Sequence, residues 1–212
     1  MNPPLVPSKL SATASSEELE LRKIRNSRYN NRFWVNPDWN GSQVVSSGHW
    51  WAGLSALPVD KSDLIIIGKV IRSRAHLSND RSGVYCEYTI RVAEVLKSRP
   101  TYKLAPGDIV IGERAGGAVR FPSGVVTQFT YMGQGFPRSG RRYLFFLKEN
   151  VEAKDFHIQT GYQLRKGKVQ PLDQKQLFEQ YIDKDQETLL IDVREAITQA
   201  ESNSPGKGGN LK

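Results

Sequence analysis

The chain is nearly without cysteine: Cys86 stands alone among 212 residues. A single thiol closes no internal disulfide and supplies no ligand set for a structural zinc. Histidine is almost as scarce. His49, His76 and His157 fall in no metal-ligand spacing, such as two histidines four apart around a glutamate, so neither a metal nor a cofactor is expected. No run of eighteen or more apolar residues exists, which excludes a membrane-spanning helix, and the opening "MNPPLVPSKLSATASSEELELRKIRN" lacks the apolar centre of a secretory signal peptide. As written, the chain reads as cytoplasmic, whereas a mature or truncated start would fit export. Convergent catalytic side chains are missing too, and a non-enzymatic role is expected. Cys86 alternates with Val84 and Tyr88 and reads as a small buried hydrophobe. A hydrolase pairing Cys86 with His76 is an alternative without a motif. "HLSNDRSG" (76–83) lacks the carboxylate count of a calcium loop and reads as a hairpin turn.

What is present is positive charge, unevenly spread. The net charge is +8, and residues 97–150 hold nine Lys/Arg against three Asp/Glu, a local balance of +6. A localised basic surface attracts anionic partners, although a solvated basic face on an ordinary β-domain is the plainer reading. The four tryptophans, Trp34, Trp39, Trp50 and Trp51, crowd into one polar, turn-rich segment. Their rings would either plug the surface of the main domain or offer a partner platform, with Trp34 and Trp39 the candidates for the latter.

Along the chain, residues 1–14 hold three prolines and little to bury, and read as disordered. "SSEELELRKIRNSRY" opens on a capping box, Ser15 with Glu18, and predicts a weakly packed helix with apolar positions at Leu19, Leu21 and Ile24. It begins an N-terminal helix and aromatic wrap over 15–60. Short β-rich runs separated by turns then fill 61–170: "DLIIIGKVIRSRA", "VYCEYTIRVAEVLK", "GDIVIGERA", "AVRF", "VVTQFTYM", "RRYLFFLKE" and a hairpin around Lys166-Gly167. Closely spaced strands without intervening helices predict a mainly β fold, a small closed antiparallel barrel. Its inward set would be Ile66, Val70, Tyr88, Ile90, Ile109, Ile111, Leu144 and Phe146. "DQKQLFEQYI" and "DQETLLIDVREAITQA" switch to helical spacing and predict two amphipathic helices within 171–202, with Asp173 and Asp185 as N-caps; 203–212 reads as a flexible tail.

"GQGFPRSGRRYLFF" (133–146) has the glycines of a phosphate cradle. A phosphate loop needs a helix after it, and here a strand follows, so Gly133, Gly135 and Gly140 read as turn residues. Nearby, Arg114, Arg120, Arg138, Arg141 and Arg142 interleave with Phe121, Tyr131, Phe136 and Tyr143. Cations beside rings on adjoining strands and loops are what single-strand nucleic-acid binders use, through charge neutralisation and base stacking. Arg114, Arg120, Phe121, Tyr131, Phe136, Arg138, Arg141 and Arg142 are therefore candidate partner-binding residues. A protein, peptide or glycan partner is the main expectation and single-stranded nucleic acid the alternative.

The blocks "ALPVDKSDLIIIGKV", "AHLSNDRSGVYCEYTIRVAEVLK", "ERAGGAVRFPSG", "GQGFPRSGRRYLFFLK" and "GYQLRKGKVQPLD" together resemble a group of short bacterial β-barrel proteins of uncharacterised activity, over about residues 56–173. More distantly, "IIIGKV", "YTIRVAEVLK" and "GRRYLFFL" resemble the first, second and later strands of the OB-like barrel in tissue inhibitors of metalloproteinases and the netrin C-terminal module. Those inhibitors reach a catalytic zinc with an N-terminal cysteine held by disulfides, neither of which this chain has. The resemblance implies the barrel architecture and not the inhibition.

Overall fold

The computed structural model describes residues 4–5, 15–31, 43–49, 53–100, 103–121 and 124–203, with the backbone alone for 43–49. All four tryptophans, most of 1–14 and the tail beyond Asn203 lie outside the described residues. The fold is mainly β. In chain order it comprises α1 (Ser16–Ser27), β1 (Gln43–His49), β2 (Leu64–Leu77), β3 (Val84–Ser98), β4 (Ile109–Ala115), β5 (Gly117–Arg120), β6 (Val126–Met132), β7 (Arg142–Asn150), β8 (Asp155–Arg165), β9 (Lys168–Pro171), α2 (Gln176–Glu179) and α3 (Gln186–Ser202).

Six strands form one sheet in the order β4-β3-β2-β7-β8-β9. Its neighbours run antiparallel, and β4 also meets β8 in parallel, through Gly112↔Phe156 and Glu113↔His157. A second sheet has the order β1-β6-β5. Here the β5–β6 hairpin is joined by β1, parallel to β6, so the segment expected to wrap the domain contributes a strand. Pro4 and Leu5 reach the same sheet: the Ala118 N–H donates to the Pro4 carbonyl, and Leu5 bridges Ala118 in parallel. That pairing gives two residues of the expected disordered segment a fixed place.

The apolar runs "LIII" of β2 and "YLFFL" of β7 are buried on both faces, as unbroken runs require. One face feeds a core with Leu64, Ile66, Val70, Tyr88, Ile90, Tyr143, Phe145 and Ile158, sealed by Val119 and Phe129 from the smaller sheet. The other face sends Ile65, Ile67, Leu144, Phe146 and Tyr162 against Phe178, Leu189, Val193 and Ile197 of α2 and α3. Leu144 and Phe146 are thus buried as expected, but beneath the helices. Ile109 and Ile111 were expected inside and are not: Ile109 is 47% exposed, and Val110 and Gly112 face the core instead. Gly112 conceals this phase because it shows no side chain to a periodicity count. A Cβ there would already meet Ile158 and Ile90 at 3.0–3.1 Å.

The turns follow local chemistry. Lys166 and Gly167 both take positive φ, 51° and 74°, as a two-residue hairpin of the primed type requires. Ser15 caps α1 through the Glu18 N–H, and Asp185 caps α3 through the Glu187 N–H. The first C-terminal helix is a single turn whose N-cap is Lys175, not Asp173.

Candidate functional site

Asp173 is absent from the helix cap because it is committed elsewhere. Its Oδ2 accepts from Arg114 Nη2 at 2.7 Å and from the Thr160 hydroxyl at 2.8 Å, and its Oδ1 accepts from the Gly135 N–H at 2.8 Å. Arg114 also donates to the carbonyls of Gly135 and Gln159. Both side chains are buried. Arg114 is therefore a structural cation that ties the 133–140 loop to β4 and β8, and it is not a surface residue awaiting a partner. The glycine-rich loop leads into β7 rather than a helix. Gly133 and Gly140 take positive φ, whereas Gly135 is needed for space, since a Cβ would stand 1.9 Å from the Leu172 carbonyl oxygen.

The remaining candidates fall into two groups. Phe136 is 5% exposed and belongs to the first core, so its ring offers no stacking face. Phe121 and Tyr131 are half-buried against that core, at the β5–β6 hairpin with exposed Arg120. Arg138, Arg141 and Arg142 are exposed elsewhere, along β2. The Gly140 N–H donates to the Val70 carbonyl, the Val70 N–H donates to the Arg141 carbonyl, and Arg142 pairs with Lys69. Trp34 and Trp39 lie outside the described residues.

α1 docks by charge. Leu19 and Ile24 are exposed, while buried Arg25 donates to the Ala153 carbonyl and lies 3.2 Å from Asp155 and 3.5 Å from Glu87. Arg22 lies 2.9 Å from Glu87, and Arg28 holds Asp155 with two hydrogen bonds of 3.0 and 2.7 Å. Tyr29 stacks on Tyr85 with ring centres 4.5 Å apart. Burial opposes the Glu87 charge, but the hydrogen bond from His76 and the cations Arg22 and Arg25 outweigh it and hold its carboxyl down at about 2. Burial pushes the Asp155 carboxyl upward against the pull of Arg28. The helix was expected to pack weakly through leucines and isoleucine, and instead arginines seat it over the outer face of β3 at Tyr85 and Glu87.

Further along that face no helix or loop among the described residues is paired to the sheet. Arg194 of α3 reaches Glu94 of β3 at 3.0 Å, so β3 is covered near each end by a helix. Between them, Thr89 pairs with Arg72 of β2 and Ile111 of β4, and Arg91 pairs with Lys69 and Ile109. Lys69 pairs in turn with Arg142 of β7. Partners in register share a face, so Ile109, Arg91, Lys69 and Arg142 make one row across four strands. Lys69, Arg72, Arg91, Ile109 and Arg142 are exposed. None of the four cations forms a salt bridge among the described residues, whereas neighbouring Glu87 and Glu94 are taken by α1 and α3. The outward phase of Arg91 could be read from "YTIRVAE"; its cation neighbours needed the register.

Chemistry of another kind finds less support. Cys86 lies on the core side, buried, donating to the Gly116 carbonyl, and burial pushes its thiol up. His76 pairs with Tyr85 and sits on the opposite face beside Glu87, so the pairing of Cys86 with His76 is not assembled. His157 Nδ1 lies 3.1 Å from the buried Glu113, an oriented imidazole that is again across the sheet from Cys86. Among the described residues no three His, Cys, Asp or Glu side chains are grouped to hold a metal ion, and no helix is long and apolar enough to cross a membrane. No protein-family model matches the chain, and no curated protein matches it either.

Proposed function

We propose that the protein is a non-enzymatic binding or scaffold module for a protein, peptide or glycan partner, built on a small OB-like barrel. The pairing order supports the barrel: β2-β3-β4-β8-β7 returns to β2, with the β4–β8 contact parallel, as a five-stranded ring would need. In barrels of that class the outer face of the second and third strands takes the ligand, and those strands correspond here to β3 and β4. The observation that carries the reading is the exposed, cationic stretch of this face between α1 and α3. Its test is surface plasmon resonance of the full chain against a glutamate-rich peptide and a heparin octasaccharide. Binding of at least one at low salt is expected, and loss of it in the doubly reversed Lys69→Glu/Arg91→Glu protein. No binding, or binding indifferent to that reversal, contradicts the reading.

Single-stranded nucleic acid is the second reading, favoured by the exposed Arg120, Arg138, Arg141 and Arg142. It requires affinity to fall with salt by about 0.7 logarithmic unit per neutralised phosphate. Arg120, Phe121 and Tyr131 stand at the smaller sheet and the other three arginines along β2, so most of the charge lies away from the rings. Oligothymidine titrated at rising salt tests this reading. A slope of several phosphates, lost on Arg120→Ala/Arg138→Ala and kept in Lys69→Glu/Arg91→Glu, would favour it over the first.

A further inference from the structure

We infer that the exposed strip takes an acidic, partly apolar peptide segment of a partner protein, an assignment that rests on the partner-binding reading above and names its ligand. Three observations converge. First, Arg91, Lys69 and Arg142 stand directly opposite one another on three adjacent strands. Like charges so placed repel, and carboxylates laid across them turn the repulsion into attraction. Second, the row continues at its β4 end into Ile109, 47% exposed, with half-buried Ile111 beside it. A purely ionic polymer has no use for that apolar end, whereas a peptide mixing carboxylates with aliphatic side chains matches both parts. Third, the rings closest in sequence to these cations are turned inward: Tyr143 is 2% exposed, and Tyr88 and Phe145 are fully buried. Bases and sugar rings are held by stacking on exposed aromatics, and the strip offers alkyl and guanidinium groups instead.

The dimensions suit a short segment. Four strands about 4.8 Å apart span roughly 14 Å, the length of about four extended residues. α1 and α3 bound the strip on its two sides, so the segment crosses the strands rather than following them. A carboxylate over Lys69 and Arg91, with a leucine or isoleucine side chain over Ile109, is the minimal contact set.

The experiment is fluorescence anisotropy on the full chain with a labelled eight-residue peptide alternating glutamate and leucine, compared with oligothymidine and a heparin octasaccharide. Lys69→Glu/Arg91→Glu is expected to weaken the peptide at least about tenfold, since each lost charge-assisted contact is worth roughly a factor of ten. Ile109→Ser is expected to weaken it about fivefold through lost apolar burial, leaving the two other polymers unchanged. Both variants are at exposed positions, and an unchanged thermal midpoint confirms that they fold. Tighter binding of oligothymidine or heparin than of the peptide, or indifference of the peptide to Ile109→Ser, overturns the assignment while leaving a binding face. Absence of binding by all three polymers at low salt removes the face as well.

Discussion

Strand alternation carries Arg114 to the same side as Cys86, its cross-strand partner, and hence into the core. A guanidinium there is tolerable because the carbonyls of Gly135 and Gln159 accept from it and Asp173, 59 positions away, meets its charge, with the other Asp173 oxygen occupied by Gly135. Removing one member of such a pair leaves the other charge buried and alone, at a cost of about 3–5 kcal/mol. Asp173→Ala should therefore lower the urea midpoint by that equivalent, and Arg114→Met with Asp173→Leu should recover most of it. A loss below about 1 kcal/mol for Asp173→Ala would contradict the role assigned to the pair. The sequence did not carry this. Alternation counted from Ile109 and Ile111 turned Arg114 outward, and nothing local to "GERAGG" indicates a partner on a segment that otherwise reads as a helix cap. Ile109 failed in the opposite sense. The apolar residue looked like core, and only the crowding at Gly112, where Ile90 and Ile158 close in, sets the strand the other way.

At the scale of elements, the seating of α1 is where local reading and tertiary structure part. Its cap and extent were legible, because Ser15 and Glu18 are adjacent in sequence; its docking face was not, because the complementary carboxylates come from β3 and β8. That docking should be acid-sensitive. The Glu87 carboxyl lies near about 2 in the folded protein, below the unfolded value of about 4.3. A depressed carboxyl contributes stability that is present above the unfolded value and is lost as pH falls from there through the folded one. The buried Asp155, displaced upward by burial, shifts in the opposite sense and offsets part of that loss as pH falls. Hydrogen exchange of the α1 amides should therefore accelerate between about pH 5 and about pH 2 relative to the intrinsic rate, and Glu87→Gln should flatten that dependence. Protection that holds through this range in the unmodified chain would exclude the Glu87 ion pairs as the fastening. The inserted sheet was half visible. "AVRF" and "VVTQFTYM" read as strands, yet the pairing of the second with β1 arises from a partner more than seventy residues upstream.

For the molecule as a whole, the charge count located the excess of cations in residues 97–150, but the fold redistributes it. Arg114 is spent in the core, Arg99 on Asp63 and Glu149, and the exposed row draws Lys69 and Arg91 from strands outside that segment. The mainly β architecture and the order of its helices were readable from alternation and turn chemistry; the functional surface was not, since it consists of residues aligned only by cross-strand register. The most direct test of the central claim, that the strip between α1 and α3 is the binding face, is amide chemical-shift mapping of the isotopically labelled full chain titrated with the glutamate–leucine peptide. The account predicts the largest shifts at Lys69, Arg72, Thr89, Arg91, Ile109 and Ile111, with β5 and β6 unmoved. Shifts centred on Arg120, Phe121 and Tyr131, or none at saturating peptide, would contradict it.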